Sequence, residues 1–333
     1  MNRRTILRTG LLAGAGALAA CAPTVQSALA LATEFQEPKF ADDVFFSFDG
    51  APLGLSSWRA EGEPWAVVVG LHGMNDYANT FAMAGPYWAE RGITTYAYDA
   101  RGHGRSPHRG VWGGEALMTE DVRTACAVAR QRHPNALVAV VGESMGAATA
   151  IAAFGSPRPP AAARIVLASP AVWGWSDLPD IYALSLWLGA HTLPGNAVTP
   201  PRNVVRRITP SDNVEMLRAL GRDRLMIFET RIDAIYGLVG LMETAADRIG
   251  ALALPTAFLF GAKDQIIPRQ SAERAARNLP PGARTALYEN GYHMLLRDLQ
   301  APVVFEDILS FIRAPGAPLP SGAPPFVRTQ ANR

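Results

Sequence analysis

The most informative part of the sequence is LVAVVGESMGAATA, residues 137–150. Its first five residues are apolar and rich in valine, which is typical of a strand buried on both faces. Its last four residues are small and favour a helix. Between the two lies GESMG, which places Ser144 on the bend with a glycine two positions away on either side. Such a bend presents a serine hydroxyl as a nucleophile, and the glycines let neighbouring backbone approach it without a clashing Cβ atom.

Further apolar runs alternate with helix-length segments on both sides of this stretch. The alternation predicts an α/β fold with a mostly parallel central sheet flanked by helices. The predicted strands are residues 66–71, 94–98, 136–141, 164–167, 256–260 and 284–288, preceded by a hairpin of 44–48 and 53–58 that turns at Asp49-Gly50. The predicted helices are residues 81–91, 117–132, 145–154, 234–249, 269–278 and 303–312.

The alternation of strands and helices stops between residues 171 and 231. An insertion of this length between two strands usually has a function of its own, so we predict a helical cap over the active site. The core is then 41–170 and 232–313. Trp173, Trp175 and Trp187 are candidate substrate contacts because ligand sites are mostly apolar, although a cap also needs aromatic residues for its own packing.

The two ends of the chain differ in composition from this body. Residues 1–20 resemble an export signal, with the twin-arginine pair Arg3-Arg4 before an uncharged stretch too short to span a bilayer comfortably. The sequence LAAC at 18–21 resembles a bacterial lipobox, which predicts lipidation of Cys21 and anchoring to the cell envelope, facing the periplasm. Secretion after cleavage and a cytoplasmic location stay open. Residues 21–40 are predicted to form a tether, and the proline-rich residues 314–333 a disordered tail.

The charge of the chain excludes a nucleic-acid partner. The net charge is +2 and no run of Lys or Arg exceeds two residues, so the basic stripe that holds phosphates is missing. Only one cysteine besides Cys21 is present, Cys126, so no intrachain disulfide is expected in the mature protein.

A serine hydroxyl at neutral pH needs an imidazole to take its proton and a carboxylate to orient that imidazole. On this kind of bend both groups follow the serine in chain order. His293 is the one histidine of six that lies after the last predicted strand, and Asp264 follows the strand at 256–260. Asp298 and Asp307 are the alternatives, but both fall in or beside the last predicted helix and are expected to face solvent. Ser144, His293 and Asp264 are the predicted catalytic residues.

A tetrahedral intermediate also needs two backbone N–H donors for its oxyanion. Met145 directly follows the nucleophile and supplies one candidate. Met74, in the loop after the strand at 66–71, supplies the other. The neighbouring His72 is expected to brace this loop rather than act as a base.

Five separated motifs occur in an order that resembles one branch of the α/β-hydrolases, the monoacylglycerol lipase, lysophospholipase and serine aminopeptidase-like branch. They are HGM at 72–74, DARGHGRS at 99–106, GESMG at 142–146, GAKD at 261–264 and GYH at 291–293. The resemblance covers roughly residues 42–313, and Glu143-Ser144-Met145 is similar to the plant-type monoacylglycerol lipases in particular. Ala147 stands where many members have a further glycine, and the cap has no residue-by-residue match.

The resemblance implies an α/β-hydrolase fold, cleavage of acyl esters through an acyl-serine, a cap between the sixth and seventh main strands, and no metal or organic cofactor. It also implies that Asp76 lies near the polar end of the pocket, where it could bind a glycerol-like head group. Residues 99–106 are expected to be a scaffold in which Arg101 and His103 bond to neighbouring backbone.

The predicted function is therefore a serine hydrolase of carboxylic esters, with monoacylglycerols or lysophospholipids as expected small-molecule substrates. A serine aminopeptidase is the enzymatic alternative and would need acids to hold a substrate ammonium. A binding or scaffold lipoprotein without activity is the alternative from another class, but it would normally have lost a member of the triad. The leading acids for the aminopeptidase are Asp177, Asp180, Asp212 and Glu215, which are not clustered in the sequence.

Overall fold

The computed structural model describes residues 22–199 and 207–327. Its centre is a sheet of nine strands in the order β1-β2-β3-β5-β4-β6-β7-β10-β11, and a separate two-stranded ribbon pairs β8 with β9. The strands are β1 (Lys39–Phe40), β2 (Val44–Phe46), β3 (Pro52–Trp58), β4 (Ala66–Leu71), β5 (Ile93–Tyr98), β6 (Leu137–Glu143), β7 (Arg164–Ala168), β8 (Ala197–Val198), β9 (Thr230–Arg231), β10 (Thr256–Gly261) and β11 (Arg284–Tyr288).

The sheet is parallel from β5 to β11 and antiparallel at its first strands. In the register of the parallel part, Leu71 at the end of β4 lies beside Gly142, and Gly261 at the end of β10 lies beside Tyr288. The loops that follow β4, β6, β10 and β11 therefore leave the same edge of the sheet. In open parallel sheets this carboxyl edge is where ligands bind.

The helices cover both faces of the sheet. Successive side chains on one strand point to opposite faces and therefore enter two different cores. Val67 and Val69 pack in one core, and Val68 between them packs in the other. This arrangement confirms the predicted α/β fold. The helices are α1 (Ala84–Ala89), α2 (Glu115–Arg132), α3 (Met145–Phe154), α4 (Asp180–Thr192), α5 (Val214–Leu220), α6 (Ile232–Arg248), α7 (Arg269–Arg277) and α8 (Ala301–Arg313), with single 3₁₀ turns at Ala78–Phe81, Trp175–Asp177 and Ile249–Ala251.

The predicted opening hairpin is present, with Phe45 of β2 opposite Leu53 of β3. The predicted helix at 81–91 is shorter than expected. A 3₁₀ turn ends at Phe81, and α1 begins only at Ala84.

The segment expected to be a loose tether lies against the folded body instead. Gln26 donates its backbone N–H to the carbonyl of Trp112 (2.9 Å), and Thr24 donates to the carboxylate of Asp233 (3.2 Å). Farther along, Lys39–Phe40 pairs with β2. The free backbone groups of an extended segment find acceptors on the body, which composition alone does not reveal.

The expectation of a disordered tail is wrong for residues 314–327. Phe326 is only 6% exposed, and its ring stacks on Phe260 with centroids 4.6 Å apart. The carbonyl of Pro324 accepts from the backbone N–H of Leu287 in β11 (2.8 Å). The prolines prevent a helix, as expected, but an extended chain can still bury an aromatic ring. Residues 328–333 lie outside the described part.

The segment expected to be a cap contains α4, α5 and the β8-β9 ribbon, while residues 200–206 lie outside the described part. Ile227 donates its N–H to the carbonyl of Asn75 (2.9 Å), and Pro210 accepts from the N–H of Met294 (3.0 Å). The segment is thus bonded to loops at the carboxyl edge of the sheet. In residues 22–199 and 207–327, no helix is both long and apolar enough to cross a bilayer.

Candidate active site

Ser144 lies on a sharp bend between β6 and α3. Its backbone has φ 55° and ψ −115°, a conformation that is strained for a residue with a side chain. The bend is held by hydrogen bonds from the N–H of Ser144 to Ala168 (3.0 Å) and from the N–H of Ala171 to the carbonyl of Ser144 (3.2 Å). A Cβ atom on Gly146 would lie 2.1 Å from the carbonyl oxygen of Leu71, so this position accepts only glycine.

The loop after β4 lies against the nucleophile. A Cβ atom built on Gly73 would be 3.4 Å from the Cβ of Ser144. Met74 follows Gly73, and Met145 is the first residue of α3, where backbone N–H groups have no partner within the helix. Both candidate oxyanion donors therefore lie one residue from the contact between Gly73 and Ser144.

His293 and Asp264 come together as the sequence predicted. The Nδ1 atom of His293 is 2.8 Å from Oδ2 of Asp264. The other oxygen, Oδ1, accepts the backbone N–H groups of Ile266 (2.8 Å) and Ile267 (3.0 Å). The Asp264 side chain is fully buried, so the carboxylate is fixed in place and directs the imidazole through Nδ1. This leaves Nε2 of His293 for proton transfer.

The charge of Asp264 sets the basicity of His293. Burial alone would lower the pKa of the imidazole, but the adjacent carboxylate and its hydrogen bond outweigh burial and raise the pKa above the ordinary 6.5. A raised pKa makes the imidazole a stronger base, which suits a group that must take a proton from a serine hydroxyl.

His72 has the bracing role that the sequence predicted. Its Nε2 accepts the backbone N–H of Ala100 (2.8 Å), so Nδ1 carries the proton and donates to the carbonyl of Gly73 (2.7 Å). Burial lowers its pKa, which keeps the ring neutral. With both nitrogens occupied, His72 cannot serve as the base.

Residues 99–106 form a scaffold, but Arg101 differs from the expectation. Its guanidinium bonds to the carboxylates of Asp49 (2.8 Å) and Asp121 (2.8 Å), not to neighbouring backbone. His103 does bond to nearby backbone, the carbonyl of Arg101 (3.1 Å), and burial lowers its pKa to about 3. The two acids are distant in sequence from Arg101, so the sequence of this loop alone could not identify them as its partners.

Asp76 is also placed differently from the expectation. Its carboxylate is buried and ion-paired with Arg297, and it accepts the backbone N–H of Tyr77 (2.8 Å). Arg297 also approaches Oε2 of Glu143 at 3.4 Å. The charge of Asp76 is thus neutralised within the protein, which argues against a role in holding a head group.

Arg297 and the carboxylate of Glu143 are not among the functional residues predicted from the sequence. The signal in the sequence for each of them was a charged residue next to apolar residues. Glu143 ends a run of apolar residues, and Arg297 follows Leu295-Leu296. Charges are buried only when they are paired, so each of them indicated a partner but not which one.

The three tryptophans of the cap do not share one environment. Trp173 and Trp175 are partly buried against the larger core, and Trp175 packs on Tyr236 with ring centroids 5.0 Å apart. Trp187 is 47% exposed and stacks on His191. Trp173 and Trp175 therefore serve packing, and Trp187 stays a candidate for contact with substrate. Cys21, the predicted lipidation site, lies outside the described residues.

The part of the chain that the structure describes contains no group of three or more His, Cys, Asp or Glu residues placed to hold a metal ion. The reactive groups at this edge of the sheet are the hydroxyl of Ser144 and the His293–Asp264 pair.

Comparison with known proteins identifies the family of the chain. The family described as serine aminopeptidase, S33, matches residues 62–300. The monoacylglycerol lipase of Mycolicibacterium smegmatis is 26% identical over 286 residues, which cover 80% of this chain and 95% of the relative. The monoglyceride lipase of Rattus norvegicus is 25% identical over 270 residues, covering 78% of this chain and 85% of the relative.

Solved structures share the fold. The monoacylglycerol lipase of Paleococcus ferrophilus superposes with a TM-score of 0.65 at 19% identity, covering 78% of this chain and 98% of the other. A soluble variant of the Saccharomyces cerevisiae monoglyceride lipase gives 0.68 at 15% identity, covering 86% and 98%. The chain belongs to the serine aminopeptidase, S33, family and is an α/β-hydrolase of the monoacylglycerol lipase-like branch.

Proposed function

We propose that the protein is a serine hydrolase that cleaves carboxylic esters through an acyl-serine intermediate. The observation that carries the proposal is the pair of His293 and Asp264, 2.8 Å apart, on loops at the same edge of the sheet as the Ser144 bend. A scaffold protein would have no need for a strained serine and an oriented imidazole on loops at the same edge of the sheet.

Each residue has a definite part in the reaction. His293 takes the hydroxyl proton as Ser144 attacks the ester carbonyl carbon, and the N–H groups of Met74 and Met145 bind the oxyanion. His293 then gives the proton to the leaving alcohol as the C–O bond breaks. In the second half, His293 takes a proton from water as the water oxygen attacks the acyl carbon. His293 then returns this proton to the Ser144 oxygen as the acyl C–O bond breaks, which releases the carboxylic acid and regenerates the free serine.

Monoacylglycerols are the substrate class that we propose first, and lysophospholipids second. The named relatives are monoacylglycerol lipases, and α4 in the cap carries exposed apolar side chains suited to an acyl chain. The aminopeptidase alternative is weaker. Of the acids that it would use, Asp177 is ion-paired with Arg274, and Asp212 accepts the N–H of Leu299 (2.8 Å).

A substrate panel tests this proposal. The full-length protein is assayed with monoacylglycerols, lysophospholipids, short aryl esters and aminoacyl amides, with Ser144→Ala as the matched control. We expect hydrolysis of the esters, with monoacylglycerols fastest, and no hydrolysis by the variant. Faster cleavage of the amides would contradict the ester proposal, and equal rates for the variant would remove Ser144 from the mechanism.

We also propose that a lipid on Cys21 anchors the protein to the bacterial cell envelope, facing the periplasm. The lipobox resemblance at residues 18–21 supports this. Replacing Cys21 with Ser should move the protein from the membrane fraction to the soluble fraction. Unchanged fractionation of the variant would overturn the anchor, and a wild-type protein found in the soluble fraction would favour simple secretion or a cytoplasmic location.

A further inference from the structure

We propose that Arg297 is a positioning residue that fixes the nucleophile bend, the oxyanion loop and the base loop relative to one another. The inference rests on the proposed serine-hydrolase function, and it assigns a role to a residue that does not itself touch the reacting atoms.

Each of the three loops contributes one member of a buried cluster, which we call the Arg297 cluster: Asp76, Glu143 and Arg297. Asp76 lies two residues after Met74, Glu143 directly precedes Ser144, and Arg297 lies four residues after His293. One guanidinium nitrogen, Nη2, pairs with the carboxylate of Asp76 and lies 3.4 Å from Oε2 of Glu143. One charged group therefore connects all three parts of the catalytic machinery.

The backbone adds a second connection between two of the loops. The N–H of Leu296 donates to Oε1 of Glu143 (3.2 Å). Glu143 therefore receives hydrogen bonds from both the backbone and the side chain of the base loop. On its other side, this loop is held by Asn213, whose side-chain amide donates to the carbonyl of Arg297 (3.0 Å).

The three side chains of the cluster are each no more than 4% exposed. Within the described residues, Nε and Nη1 of Arg297 have no hydrogen-bond partner, so the side chain is held by its two carboxylates alone. Buried ion pairs contribute little net stability after desolvation, but their geometry is specific. A misplacement of about 1 Å in an active site can cost on the order of 100-fold in rate. The main consequence of the cluster should thus appear in catalysis.

The cluster also changes the charge felt by His293. The charged groups around that imidazole are Asp264, Glu143, Arg297 and Asp298. The charge of Glu143 raises the pKa of His293, and the charge of Arg297 lowers it. Removing Glu143 should therefore move the acid limb of the pH–rate profile to lower pH, and removing Arg297 should move it to higher pH. Misfolding would not produce shifts of opposite sign.

The test measures kcat and KM on a short aryl ester for full-length wild type, Arg297→Met, Arg297→Lys and Glu143→Gln. For Arg297→Met we expect kcat to fall about 100-fold with a smaller change in KM. The contacts that bind the acyl group stay the same, whereas the reacting groups move relative to one another. Arg297→Lys should recover part of the loss, since it restores the charge. Arg277→Met, which removes an exposed arginine paired with Glu273, is the matched control and should match wild type.

Two further variants keep the test decisive if Arg297→Met fails to fold. Asp76→Asn removes one contact with almost no change in volume, and the double variant Arg297→Met/Asp76→Asn leaves the net charge of the cluster unchanged. We expect both to lower kcat at least 10-fold, since either one disconnects the oxyanion loop from the base loop.

The outcomes separate this inference from the proposed function. If a fluorophosphonate does not label Ser144 in wild type, the proposed function fails, and the inference fails with it. If wild type is labelled and the folded cluster variants keep wild-type kcat and coincident pH profiles, Arg297 is not a positioning residue, while the hydrolase proposal stands.

Discussion

The loops at the carboxyl edge of the sheet and the segment predicted as cap differ in the burial and polarity of their side chains. At the edge, charged side chains are buried and lie in contact with groups of opposite charge or with a hydrogen-bond partner, as the His293–Asp264 contact and the Arg297 cluster show. In the cap, helix α4 exposes large apolar side chains, including Ile181 and Tyr182, each 65% exposed. This contrast agrees with the proposal that the loops at the edge carry the chemistry, while the exposed apolar face of α4 contacts the acyl chain of the substrate.

The two regions also differ in the free energy that a substitution should cost. A buried hydrogen-bonded group is costly to disturb, because its partner is left unpaired, whereas an exposed apolar side chain contributes little to folding. Variants at the edge should therefore change catalysis for every substrate. Variants on the exposed face of the cap should change preference among substrates and leave stability nearly unaffected.

The largest effect is expected at the triad. His293→Ala and Asp264→Asn should each lower kcat about 10⁴-fold, because one removes the base and the other removes the acceptor that fixes its tautomer. Steady-state kinetics on a short aryl ester measures this, and thermal unfolding checks that the fold is intact. A near-normal rate in either folded variant would exclude that residue from the triad.

The next effect is on stability and is expected at a position far from the site. Phe326→Ala should lower the free energy of unfolding by about 3 kcal/mol, because it removes a ring that stacks on Phe258 and Phe260. Urea unfolding measures the change, and Leu299→Ala, at a position 68% exposed, is the control. Equal stability of Phe326→Ala and wild type would show that the tail does not pack as described.

A smaller effect is expected on the cap. Trp187→Ser should lower kcat/KM for long-chain monoacylglycerols about 10-fold, since it removes apolar surface available to an acyl chain, and should leave short aryl esters unchanged. Tyr182→Ser, on the same helix and more exposed, shows whether the effect is specific to one position. Equal losses on long and short substrates would contradict a role for Trp187 in substrate preference.

The smallest effect lies where the two regions meet. Ser211, in the segment predicted as cap, donates to Oδ1 of Asp298 (2.6 Å), whose Oδ2 accepts the N–H of Tyr292 beside the base (2.8 Å). Ser211→Ala should lower kcat about 3-fold, the cost of one lost hydrogen bond that only supports the loop. Thr192→Ala, on the exposed end of α4, is the control. A loss of kcat as large as that of the triad variants would mean that the two regions do not act independently in catalysis.

The sequence predicts the sheet and the triad because both depend on local signals. Buried parallel strands are continuous apolar runs, and a nucleophile, acid and base that follow strand ends meet at one edge of the sheet. Ser144, Asp264 and His293 could each be found in this way.

The Arg297 cluster could not be predicted, because its members meet only after the chain has folded. Arg297 is 221 residues from Asp76 and 154 from Glu143. The packing of Phe326 and of residues 22–40 could not be predicted for the same reason, because their partners lie in elements distant in sequence. Composition indicates what such segments cannot form, but it does not indicate what they contact.

Covalent labelling distinguishes an activated serine nucleophile from an ordinary serine. The full-length protein and Ser144→Ala are treated with a fluorophosphonate, digested, and mapped by mass spectrometry. We predict one adduct on the peptide that contains Ser144 in wild type, and none in the variant. An unlabelled wild type, or equal labelling of both proteins, would contradict the account of Ser144 as a nucleophile activated by His293.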